Sequence, residues 1–127
     1  MTLNAYQTVK RATLVEGATP HRLTEMLYDG ALSNIAIAQQ HLSAGNRQQL
    51  HKSIDKAVAI VQELQGSLKD YETNELSGNL FDLYSYIAKT LIESENAMDS
   101  DGLSSCVSLI ETLADAWRSI SPERQAA

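Results

Sequence analysis

"TPHRLTEMLYDGAL", residues 19–32, is the stretch whose reading decides the fold. Thr19 has the side chain of an N-cap, and Pro20 stands at the first helical position, where its missing N–H costs nothing. Leu23, Met26 and Leu27 follow at core spacing, which puts Tyr28, Asp29 and Gly30 in the middle of a helix. A glycine there costs about 1 kcal/mol relative to alanine. It calls for compensation, and a glycine on an inner helix face supplies it by letting a neighbouring backbone or ring come close. Tyr84, Tyr86 or Trp117 is the ring expected to fill that space. Asp29 is expected to accept from a tyrosine hydroxyl, Lys or Arg, or else to face water.

Outward from this stretch the period stays helical. The first segment, 20–42, continues through Ala31, Ile35, Ala38 and Leu42 and stops at "SAGN". A second, 47–69, has the cleanest stripe, with Leu50, Ile54, Ala57, Val58, Val61, Leu64 and Leu68 recurring at three and four. A third, 76–97, runs through Leu80, Leu83, Tyr84, Ile87 and Leu91, and a fourth, 101–120, through Leu103, Val107, Ile110, Leu113, Ala114 and Trp117. The two prolines, Pro20 and Pro122, bracket the pattern, and no window alternates with period two over the length of a strand. The fold class is all-α. Helices of about 20 residues joined by links of a few residues must lie antiparallel, giving an up-down four-helix bundle. Residues 1–18 form a short N-terminal arm expected to pack on it, and the whole chain, 1–127, reads as one domain.

Composition excludes several functions. The chain has 127 residues, 43% of them hydrophobic, and a net charge of -6 with pI near 4.9. The ten lysines and arginines are scattered along it, which argues against binding nucleic acid or anionic lipid. The start lacks the apolar run of a signal peptide, and no later run approaches the roughly 20 apolar residues of a membrane span, so a cytoplasmic location is expected. A single cysteine, Cys106, offers no disulfide and no CxxC pair, and its place between Leu103 and Ile110 reads as core.

Catalytic and cofactor chemistry is sparse. His21, His41 and His51 sit at or near helix ends, outside the ExxH spacing of di-metal bundles and unlike the mid-helix histidine of a phosphotransfer bundle. His21 and Glu25, one turn apart, make a conceivable metal pair that reads more simply as an exposed helix start. The carboxylates are spread over four helices without apolar surroundings to raise a pKa. Nucleotide loops, a nucleophile elbow and a zinc HExxH are missing. Neither an enzyme nor a cofactor is expected. A signalling or metal-carrying bundle is the competing class, and replacing each histidine by alanine separates it from an interaction module.

What stands out is surplus apolar surface. A bundle helix needs one stripe, yet the first segment adds Tyr28, Leu32 and Ile37 around its core face, and the third adds Phe81, Ala88 and Ile92 on one flank and Tyr86 on the other. Ile60 and Leu109 are lone outliers. Such flanks suit a partner helix.

These residues carry a resemblance. The Thr-Pro start with the Leu-Tyr-Asp-Gly-Ala run, then "IDKAVAIVQEL", "NLFDLYSYI" and "LIETLADAWRSISP", together resemble the FliS-type flagellar export chaperones, in order and over residues 6–122. The family's Gly-Gly-Glu-type turn before the third helix is replaced by "ETNELSGNL", which leaves Gly78 in the first helical turn, and Ser85 stands where an acidic residue is common. The resemblance implies a cytoplasmic chaperone that binds the disordered C-terminal segment of flagellin, prevents premature polymerisation and supports delivery to the type III export apparatus. One chain would hold one client, with a component of the export gate as a second partner. The client-groove residues it implies, taken with the apolar surplus, are Tyr6, Val9, Tyr28, Leu32, Ile35, Phe81, Tyr84 and Ile92, supported by Gly30, Asp29 and Trp117. Tyr6 and Val9 are expected to shield a groove lined by the first and third helices.

Overall fold

A computed structural model describes residues 19–120, which form four helices: α1 (Pro20–Ala44), α2 (Arg47–Gly66), α3 (Glu75–Ala97) and α4 (Ser100–Arg118). No strand occurs among the described residues. Each start is capped by the residue type that favours it. The side chains of Thr19, Asn46, Asn74 and Asp99 accept from the backbone N–H of Arg22, Gln49, Ser77 and Asp101. Gly45 ends α1 in the left-handed conformation at φ 72°, so that two residues suffice to reach α2. Met98 takes the same role after α3 at φ 53°, without the freedom of a glycine. Its αL turn likewise needs two residues to reach α4.

The second connection is longer. α2 ends at Gly66, before the Lys69 that the apolar stripe suggests, because Ser67 turns its hydroxyl onto the Leu64 carbonyl and Leu68 N–H bonds Gln65 O in a tight turn. Residues 67–74 then fold back on the start of α3. Tyr71 stacks on Phe81, with ring centroids 4.1 Å apart.

Each helix packs on the next, and α4 returns to α1, closing a ring in which α1 and α3 stand diagonally opposite. The direction of α4 follows from two long-range pairs: His21 meets Trp117, and Gln39 meets Ser104 eighteen residues later on α1 and thirteen earlier on α4. α2 and α3 are antiparallel by the same reasoning, from His51 with Glu95 and Gln65 with Ser85. The bundle is up-down-up-down. Its core is contributed by all four helices, with Ile35, Leu50, Ile54, Ile60, Ile87, Leu91, Leu103 and Ile110 the largest side chains fully removed from water. Cys106 lies among them, and its thiol donates a long bond of 3.8 Å to the Ile87 carbonyl.

Candidate functional site

The glycine in the middle of α1 accommodates an aliphatic side chain. A Cβ on Gly30 would lie 3.4 Å from Ile60 Cδ1, so the close neighbour is an isoleucine of α2 and none of the three rings that the sequence suggests. Ile60 stands off the main stripe of α2, yet it is 1% exposed, with its Cδ1 against the Gly30 position of α1. The carbonyl of Gly30 is held by Asn34, whose amide donates at 2.8 Å.

Tyr28 and Tyr84 meet across the bundle. Their hydroxyls are 2.5 Å apart, one donating to the other, in a bond that ties α1 to its diagonal partner α3. Burial pushes both pKa values up, and for Tyr84 the neighbouring Tyr28 adds to the effect. Both tyrosines therefore stay neutral well above the usual range. They and Ile35, which is 0% exposed, belong to the core in this conformation, so these three of the expected client-groove residues lie inside the bundle. A hydroxyl on the apolar arc of a helix can be read as a rim or as half of a buried pair, and only its partner on another helix decides.

The ends of α1 and α4 are clasped. His21 Nε2–H donates to the Trp117 carbonyl at 3.0 Å, Trp117 Nε1–H donates to the His21 carbonyl at 2.9 Å, and the two rings stack. His21 is thus half-buried, and the exposed histidine–glutamate helix start read from the sequence does not form. Glu25 instead accepts from Arg22 and Arg118, and Arg118 also donates to Asp29 and Asp115. These guanidinium contacts, that of Arg22 foremost, hold the Glu25 carboxyl below the usual carboxylate range. Among the described residues no three His, Cys, Asp or Glu side chains are placed to hold a metal. Burial raises the Cys106 thiol to about 11, which leaves it protonated and unreactive at neutral pH.

The surface residues divide between two flanks. Leu32 lies seven residues from both Glu25 and Gln39, on the row whose side chains reach Arg118 and Ser104 of α4, so it sits half-buried in the α1–α4 groove. Phe81, Ser85, Ala88 and Ile92 form a second row on α3, spaced four, three and four. Gln65 of α2 marks its side by donating to Ser85 Oγ and to the Phe81 carbonyl. Ile92 at 45% and Tyr86 at 55% are exposed. α1 and α3 are diagonal, so among the described residues Leu32 and the row from Phe81 to Ile92 lie on different flanks of the bundle. Tyr6 and Val9 lie outside the described residues.

A family model described as "Flagellar protein FliS" matches residues 2–124. The chain belongs to the FliS family. Its FliS relatives include the flagellar secretion chaperone FliS of Salmonella typhimurium, 31% identical over 122 residues that cover 95% of this chain and 90% of that protein. The flagellar secretion chaperone FliSB of Pseudomonas aeruginosa is 32% identical over 122 residues, covering 94% of each. That of Escherichia coli is 31% identical over 115 residues, covering 90% and 85%. FliS is a chaperone family and not a class of enzyme, and no described helix is long and apolar enough to cross a membrane.

Proposed function

We propose that this FliS-family chain is a cytoplasmic export chaperone that binds the disordered C-terminal segment of flagellin, one to one, and holds it from polymerising until the type III export apparatus takes it. The names of its relatives support the secretion role. The observation that carries the client reading is the second stripe of α3. Tyr84, Ile87 and Leu91 already fill the core, so Ile92 is left exposed, in line with half-buried Ala88 and with Phe81 under the Tyr71 ring, for a partner that brings its own apolar face.

The two flanks lie on opposite sides of the bundle, α1–α4 with Leu32 and α2–α3 with Phe81 and Ile92. A client that uses both must wrap around it. A disordered segment does this readily and spends part of the contact energy on becoming ordered, which keeps the complex releasable without chemistry. The shielding expected of the N-terminal arm with Tyr6 and Val9 is tested by deleting residues 1–17, for which loss of solubility or a change in client affinity is the expected result.

The test is calorimetric titration of the full chain with a synthetic peptide from the C-terminal end of the host's flagellin, with circular dichroism on the same mixture. Saturation near one to one with a gain of helix over the separate components is expected. A folded bundle that takes up no peptide overturns the reading.

A further inference from the structure

The lysines and arginines are spread along the chain, but the carboxylates are not. From Gly30 to Gln62 only Asp55 stands against Arg47, Lys52 and Lys56, in a chain with sixteen Asp and Glu to ten Lys and Arg. The second half of α1 therefore carries no lysine, arginine or carboxylate, and α2 up to Gln62 carries an excess of cations, in an acidic protein. Arg22 and Arg118 spend their charge on Glu25, Asp29 and Asp115, whereas Arg47, Lys52 and Lys56 have no ion pair among the described residues.

An exposed aliphatic side chain falls in this field. α1 and α2 run antiparallel with Gly30 against Ile60. Two turns further along α1, Ile37 comes level with Ser53, whose outward neighbours on α2 are Lys52 and Lys56. Ile37 is 42% exposed, and Ser33, Ala36 and Gln40 around it are exposed and uncharged. An open hollow lined by His51, Lys52, Asp55 and Lys56 continues the surface on α2, with the His51 ring donating to Glu95 at its α3 edge.

We propose that this α1–α2 face docks an acidic amphipathic segment of a second protein, its carboxylates on Lys52 and Lys56 and an aliphatic side chain on Ile37. Charge complementarity selects the partner's sign. The isoleucine between the lysines selects a partner that brings apolar surface with its charge, and three cations are too few to track a nucleic-acid backbone. The face is separate from both flanks assigned to the client.

Fluorescence anisotropy of a fluorescein-labelled peptide, with glutamates on one helical face and leucines on the other, tests this on the full chain. Saturable binding is expected, weaker at high salt. The double substitution Lys52→Glu, Lys56→Glu should lower affinity by about tenfold, and Ile37→Ser by a smaller factor, with thermal melts unchanged. Three results overturn the proposal: undiminished binding by the double variant, equal binding of a peptide with lysine for glutamate, or displacement of the peptide by phosphatidylglycerol vesicles that bind the parent and not the variant. Titration with the flagellin peptide separates this site from the client's. It should be unchanged in the double variant, and a parallel loss there overturns the separation. Absence of flagellin binding by the parent bears only on the client reading.

Discussion

Of the 20 residues of α2, eight are buried, and they include every apolar residue of the helix but Ala59. Of the 23 residues of α3 only four are buried, although eleven are apolar. Both helices pack on two neighbours, but α2 lies more closely against its own, α1 above all, than α3 does. α2 carries what the core requires, whereas α3 carries a core stripe and a surplus. In a family of secretion chaperones that surplus is the natural place to look for the client.

The largest effect that checks this contrast is on stability. Ile60→Ala removes a fully buried side chain from a fitted space beside Gly30, and should cost about 3 kcal/mol in urea denaturation. Ile92→Ala, on the exposed row, should stay within about 0.5 kcal/mol of the parent. Similar losses at the two sites would erase the distinction.

Next comes the hydrogen-bonded anchor of α3. Tyr28→Phe strands the Tyr84 hydroxyl in the core and should cost about 2 kcal/mol, while the double Phe variant costs less than the two single losses together. The pair also predicts an alkaline limit. The unfolded tyrosines ionise near pH 10 while the folded ones keep their protons. Their contribution is complete below that pH and is lost as pH rises through 10 and above. Cys106, raised from 9.0 to about 11, adds a loss that begins near pH 9. Denaturation midpoints measured from pH 8 upward should fall less steeply in the double Phe variant than in the parent.

The functional half of the comparison is smaller in energy. Ile92→Ser should weaken the flagellin peptide by about tenfold, which is about 1.4 kcal/mol, and leave the melt unchanged. An equal loss from a surface substitution on α2 such as Gln62→Ser would show that the client does not distinguish the helices.

The four helices and their antiparallel order were legible because caps, two-residue links and apolar period all point the same way. Whether a given apolar residue belongs to the core or to a flank was legible only in part. A sequence shows how wide the apolar arc of one helix is, but the centre of the buried arc is set by the neighbours. Ile60 is buried against the Gly30 position of α1, and Tyr28 and Tyr84 are buried with each supplying the other's hydrogen bond. Leu32 and Phe81 looked like parts of one groove until the ring order placed α1 and α3 on opposite corners. The clasp of His21 with Trp117 joins residues ninety-six apart, and nothing local to either announces it.

The smallest effect compares two glycines, one at the end of α2 and one at the start of α3. Gly66 is the last residue of α2, and a Cβ there would meet nothing within 4 Å. Gly66→Ala should stabilise the fold by about 0.5 kcal/mol, from the lower chain entropy of the unfolded state. Gly78 stands one turn into α3, where a Cβ would come within 3.0 Å of the Tyr71 backbone oxygen. That oxygen belongs to the turn in which Thr73 and Asn74 both bond the Asp70 carbonyl, and it cannot retreat without loosening that turn and the Tyr71–Phe81 stack. The helix-propensity gain of about 1 kcal/mol is therefore more than offset, and Gly78→Ala should destabilise by a few tenths of a kcal/mol. Opposite signs in paired urea titrations would show that the open end of α2 accepts a side chain, while the start of α3 is held closed by the loop that seats Phe81 at the head of the exposed row.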